Sequence, residues 1–192
     1  MLADPWGTRS RAVGEAFRPP AATPRTSTRP VRKINRLPLE SYRDPGAYAL
    51  TLVTHERVKA FADGALVSHC LELLRQESEA HGFQVVAYCF MPDHLHLLVG
   101  SEETCDLLRF VKAFKQKTGY WFKHGASAGG VKASPTVVGA LWQRSFHDHI
   151  VRSDESLRAL AEYVFDNPVE AGLAEERGQY RWAGSLVWPD PF

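Results

Sequence analysis

A chain of 192 residues is long enough for one domain with its own core and an appendage. Its 44% hydrophobic and 23% charged content is that of an ordinary globular protein, and no apolar run approaches the roughly 20 residues of a membrane helix. A net charge of +1 excludes a uniformly basic or acidic molecule, but it hides an asymmetry. Residues 1–36 hold eight basic groups against two acidic ones, and the rest hold fifteen against twenty. With Pro5, Pro19, Pro20, Pro24 and Pro30, this start is predicted to be a disordered basic leader. Such an arm adds sequence-independent attraction to phosphate backbones, or is simply solvated. It has none of the pattern of a secretory signal. Cys70, Cys89 and Cys105 lie far apart with no CxxC pair, which argues against a disulfide framework or a zinc–cysteine site. A reducing, cytoplasmic setting is expected.

The first predicted strand is 47–54, AYALTLVT, with Tyr48, Leu50 and Leu52 on one face. A helix follows over 64–80, its stripe formed by Leu66, Val67, Cys70, Leu71 and Leu74 and its stop by Gly82. Residues 83–90 form a second strand, Pro92 and Asp93 a turn, and 94–100 a third strand hairpinned to the second. A longer helix spans 102–123, with Leu107, Val111, Phe114, Thr118 and Trp121 at helical spacing. Residues 124–140 are a small-residue loop, and 141–152 a further strand. Ser153, Asp154 and Glu155 start a last helix that Pro168 ends. The order β-α-β-β-α-β, then α, predicts an α+β fold: a ferredoxin-like antiparallel sheet with helices packed on one face.

The stretch MPDHLHLLVG raises the functional question. In a strand, residues i and i+2 share a side, so His94 and His96 present two imidazoles together while Leu95, Leu97 and Val99 face a core. Two neutral imidazoles suit a divalent cation and leave positions free for water and phosphate oxygens. The same pair is also compatible with a purely structural role. On the last helix, Tyr163 flanks the buried stripe of Leu157, Leu160, Ala161 and Val164, and Asn167 sits one turn beyond it. On the long helix, Arg109, Lys112, Gln116 and Lys123 fall together on another face, either a phosphate-tracking stripe or a solvated surface. Lys115 borders the apolar face, Arg144 and Arg152 flank the FHDH strand, and Trp142 fits a stacking platform or a core position.

Four ordered motifs, YCFMPDHLHLLVG, FVKAFKQKTG, LWQRSFHDHIVR and YVFDNPVEAGL, resemble those of the REP-associated tyrosine transposases of the HUH superfamily. The resemblance covers 37–188, read as one HUH transposase domain, and leaves 189–192 as a tail. It implies that His94 and His96 bind Mg²⁺ or Mn²⁺, with Leu95 as the hydrophobic residue between them. It implies that Tyr163 is the nucleophile, and that Asn167 occupies the place of a third metal contact, where relatives commonly carry glutamine. The implied partner is single-stranded hairpin DNA such as repetitive extragenic palindromes, bound through Arg109, Lys112, Lys115, Lys123, Arg144 and Arg152. The implied setting is a bacterial cytoplasm and its nucleoid DNA, with a monomer or homodimer acting there and no membrane partner. His149 and Asp148 stand as candidate bases. A hairpin-binding regulator that has lost cleavage is the alternative. A metal phosphohydrolase would need more carboxylates than Asp93 beside the pair. The reading requires the Tyr163 ring to come to the two imidazoles.

Overall fold

The computed structural model describes residues 39–124, 139–151 and 156–192. The predicted leader 1–36, most of the predicted loop 124–140, Arg152 and the predicted helix start at residues 153–155 lie outside the described residues. The elements are β1 (Gly46–Val53), α1 (Gly64–Ala80), β2 (Gln84–Met91), β3 (His94–Ser101), α2 (Leu107–His124), β4 (His147–Val151), α3 (Leu157–Glu170) and β5 (Ala183–Gly184), with short 3₁₀ turns before and after β1. The strands form one antiparallel sheet in the order β4-β1-β3-β2-β5. The first four strands give the ferredoxin-like arrangement expected from the sequence, and β5 adds a fifth at the edge.

Local chemistry sets the boundaries. The Asp63 side chain accepts from the Ala65 N–H at the start of α1. Gly82 follows α1 at φ +73°, in the left-handed region, and a Cβ there would stand 2.9 Å from Cys105 Sγ. The second helix starts at Leu107, not 102, because the Asp106 carboxylate accepts from the Arg109 N–H and caps it there. The fourth strand is shorter than the predicted 141–152. Trp142 makes an isolated bridge with Thr54, and pairing resumes only at His147 opposite Thr51. Residues 143–146, four on one strand, thus lie opposite two on the other, 52–53. The Lys115 ammonium takes the carbonyls of Gln143 (2.6 Å), Arg144 (3.5 Å) and Ser145 (3.4 Å) in between. In α3 the described cap is Ser156, whose hydroxyl accepts from the Ala159 N–H. Pro168 lies inside its last turn and does not end it; the helix runs on to Glu170.

Strand alternation divides the hydrophobic residues into two clusters. Tyr48, Leu50, Leu52, Phe90, Leu95, Leu97 and Val99 face α1 and α2 with Phe110 and Phe114. Cys89, Met91 and Leu98 face the other way, against Leu157, Ala161, Val164 and Phe165 of α3. The helices of the β-α-β-β-α-β unit pack on one face, as expected, and the additional α3 covers part of the opposite face. A bulge between Val85 and Ala87 adjusts β2 to both layers. Trp142 is 5% exposed, and its indole N–H donates to Thr118 Oγ1 at 2.8 Å, so it is a core residue. None of the described helices is long and apolar enough to cross a membrane.

Candidate metal and nucleophile site

His94 and His96 open β3 immediately after the Pro92–Asp93 turn, on the α3 side of the sheet. Leu95 and Leu97, 0% and 1% exposed, anchor the strand from the other side. The two Nε2 atoms are 3.0 Å apart, with ring centroids at 4.7 Å and planes at 82°. The remaining nitrogens are engaged: His94 Nδ1 is 2.5 Å from Asp93 Oδ1, and His96 Nδ1 is 3.3 Å from Thr51 Oγ1. Arg57 donates to the second Asp93 oxygen at 3.1 Å. Burial pushes His96 down to about 4, aided by His94 and opposed by the Asp93 carboxylate. Burial alone would raise Asp93, but hydrogen bonds from His94 and Arg57 outweigh it and hold the carboxyl below its usual range.

A strained segment supports the turn. Glu56 and Arg57 both have φ +54°, which costs non-glycine residues roughly 1 kcal/mol or more each. The Thr54 N–H donates to the Asp93 carbonyl at 2.9 Å, and Thr54 Oγ1 lies 2.8 Å from the carbonyls of both Val58 and Asp93. The Phe61 N–H donates to the Pro92 carbonyl at 3.0 Å. These bonds fix the turn against β1 and aim Arg57 at Asp93.

Tyr163, from α3, approaches the pair. Its ring meets that of His96 edge-on, with centroids 6.2 Å apart and planes at 81°. Burial, then the negative charge of Glu170, raises its phenol above 10. Asn167 turns its amide nitrogen back to the Tyr163 carbonyl at 2.8 Å, leaving Oδ1 as its acceptor for another group. The donor set fits a divalent cation. Two imidazole Nε2 atoms 3.0 Å apart are close enough that His94 and His96 would share one ion. Among the described residues, no group of three His, Cys, Asp or Glu side chains gathers here or elsewhere, so the other positions would fall to water, phosphate or an amide oxygen.

The family model described as "Transposase IS200 like" matches residues 45–167, a span that includes both histidines, Tyr163 and Asn167. The chain belongs to the IS200-like transposases. This transposase is 30% identical over 132 residues to a Haemophilus influenzae protein assigned to the REP-associated tyrosine transposases, covering 68% of this chain and 74% of the relative. A solved REP-associated tyrosine transposase bound to a REP hairpin superimposes with a TM-score of 0.55 at 18% identity, covering 74% of this chain and 78% of that one. The latter likeness is one of fold.

The transposase does not gather all the predicted DNA-contacting residues around the histidines. Arg109, Lys112 and Lys123 are exposed on α2, which packs on the opposite face of the sheet. Lys115 is half-buried and clamps the 143–145 carbonyls. Arg144 is exposed in that clamped stretch, and Arg152 lies outside the described residues. Asp148 is on the α2 side, accepting from the Tyr42 hydroxyl at 2.7 Å, which removes it as a candidate base. His149 is on the histidine side, as is His147, whose row across the sheet runs through Thr51, His96 and Cys89. Sequence reasoning missed Thr51, Arg57 and the contact of Asp93 with His94. The only signal was the carboxylate adjoining His94; the others come from strands and turns distant in sequence.

Proposed function

We propose that this chain is a metal-dependent single-stranded DNA transposase and endonuclease. It cleaves and rejoins hairpin, REP-like DNA through a 5′-phosphotyrosine intermediate. The observation that carries this reading is the edge-on approach of Tyr163 to His96 within one chain, which supports attack in cis in a monomer or in each half of a homodimer. Similarity to a transposase bound to a REP hairpin supports the substrate class. The implied setting is bacterial cytoplasm, on nucleoid DNA.

His94 and His96 would hold Mg²⁺ or Mn²⁺, with Asn167 Oδ1 contributing directly or through water. When bound, the ion polarises the scissile phosphate and stabilises charge at the leaving 3′-oxygen. Tyr163 Oη attacks phosphorus and loses its proton; the P–O3′ bond breaks, and the 3′-oxygen takes a proton to leave as a hydroxyl. The phosphodiester energy stays in the tyrosyl link. A second 3′-hydroxyl can therefore reverse the step and join strands without a nucleotide cofactor. The raised phenol means that proton loss must be driven at the site, and His149 is the remaining sequence-predicted base on that face. Arg109, Lys112 and Lys123 would track phosphates from the α2 side, as would Arg144 ahead of β4 and Arg152, which follows β4 in the sequence. Lys115 acts by holding the segment that carries Arg144.

Incubation with labelled hairpin DNA and Mg²⁺ or Mn²⁺ tests the proposal. A covalent protein–DNA band is expected from the wild type, and Tyr163→Phe should abolish the band while retaining hairpin binding. Binding with no adduct from the wild type would leave the regulator reading in its place.

A further inference from the structure

The contacts around the two imidazoles form a directional chain. An ionised carboxylate only accepts, so Asp93 requires a proton on His94 Nδ1. A neutral His94 then has its lone pair on Nε2. The 3.0 Å approach of the two Nε2 atoms requires one of them to donate, and that one is His96. His96 Nδ1 is then the acceptor, and the Thr51 hydroxyl donates to it across 3.3 Å. With a neutral His94 ring, the order these contacts imply without an ion is Thr51 to His96, His96 to His94, His94 to Asp93, with Arg57 on the second Asp93 oxygen.

A cation between the two Nε2 atoms needs a lone pair on both. His94 already offers one. His96 must move its proton from Nε2 to Nδ1, and the Thr51 oxygen must then accept where it had donated. A hydroxyl serves both roles by rotating; a methyl serves neither.

We propose that Asp93 and Thr51 are the positioning residues of the cation site: Asp93 holds His94 permanently in the binding tautomer, and Thr51 allows His96 to switch into it. The proposal rests on the metal-dependent reading above. It deepens that reading by making the two ligands unequal, one preset and one switched.

Long-range ¹H–¹⁵N NMR of the full chain labelled at histidine reads the tautomers directly. Without metal, His94 is expected as the Nδ1–H form and His96 as the Nε2–H form. Mg²⁺ should convert His96 to Nδ1–H and leave His94 unchanged. Electron paramagnetic resonance titration with Mn²⁺ supplies the affinities. Asp93→Asn should weaken binding roughly 10–100-fold, as the loss of a group orienting a histidine ligand does. Thr51→Val, isosteric and without a hydroxyl, should weaken it about 10-fold. Thr51→Ser should restore it.

An Nδ1–H tautomer at His96 before metal is added, or wild-type Mn²⁺ affinity in Thr51→Val, would overturn the switch. Wild-type affinity in Asp93→Asn would overturn the preset ligand. If His94→Ala and His96→Ala also bind Mn²⁺ like the wild type, the metal reading itself fails. If those two lose the ion and the Thr51 and Asp93 variants do not, only the positioning proposal fails.

Discussion

The two faces of the sheet are made by the same strands and have little else in common. On the α1/α2 side, Tyr48, Leu50, Leu52, Leu95, Leu97 and Val99 are all buried under two long helices. On the other side, α3 covers β2 and β3 around Cys89 and Leu98, and among the described residues the cover thins toward β4, where Val151 is only partly buried against it. Ala49, Thr51, His149 and Val151 are half-buried there, and His147 is exposed. The histidine pair and Tyr163 sit where that cover thins. Period-two alternation lets one strand serve both purposes, stability on one face and chemistry on the other. A site at the margin of a packed layer is sheltered enough to hold His96 neutral and, among the described residues, is flanked by half-buried and exposed side chains.

Neighbouring residues on β3 provide the sharpest way to break this contrast. His96→Ala should reduce adduct formation on the order of 10³-fold, since losing a cation's charge stabilisation costs several kcal/mol of barrier. Its effect on folding should stay within about 1 kcal/mol. Leu97→Ala, one residue on and facing α1 and α2, should do the opposite. A buried leucine truncated to alanine costs roughly 2–5 kcal/mol of stability. The fraction that remains folded should form adduct at the wild-type rate. Denaturant melts and a gel assay on the same two proteins check both outcomes, and equal losses in both assays for both variants would erase the distinction between faces.

The sequence carried the local half of this arrangement. Helix α1 is legible to the residue, because Leu66, Val67, Cys70 and Leu74 make an uninterrupted stripe between Asp63 and Gly82. The i, i+2 spacing of His94 and His96 is likewise readable without any tertiary information. What was not legible depends on long-range contacts. Nothing in the pattern of α3 says which face of the sheet it covers, because an apolar stripe packs equally well on either. Two residues, Ala183 and Gly184, are too short for a strand signal; β5 exists because Tyr180 reaches the Phe90 carbonyl and Trp182 receives the Phe90 N–H. Lys115 looked like a phosphate ligand because its surroundings, the carbonyls of 143–145, are almost 30 residues away. Thr51 and Arg57 are some 40 residues from their partners His96 and Asp93.

The edge strand tests how tightly the α1/α2 face is closed. A Cβ on Gly184 would lie 2.8 Å from Tyr88 Oη and 3.1 Å from its Cζ. Tyr88 is buried between its neighbours, so the β5 backbone must retreat. Gly184→Ala should cost about 1–3 kcal/mol through overpacking, visible as a fall of several degrees in Tm. Adduct formation should hold, because Tyr88 faces away from the histidines. An unchanged Tm would mean that the β5 edge yields freely.

The smallest effect concerns a histidine that belongs to the packed side. His69 of α1 stacks on Trp121 of α2, with centroids 4.4 Å apart and planes at 21°. Burial lowers its pKa from 6.5, and the nearby Glu72 carboxylate offsets part of that. The unfolded chain therefore binds this proton more readily than the folded one. The sign follows: His69 costs nothing above pH 6.5, and it lowers stability as pH falls below that value toward its folded pKa. Because His69 is only half-buried, the loss should be a small part of the total, and NMR titration of the ring is the better probe than a melt. Trp121→Ala removes the stacked indole and should return the midpoint toward 6.5. A midpoint that stays low in that variant would assign the shift to the rest of the helix interface and not to the indole. Either way, packing is what disfavours the charged form of His69, whereas each imidazole at the site also has a hydrogen-bonding partner across the sheet or turn.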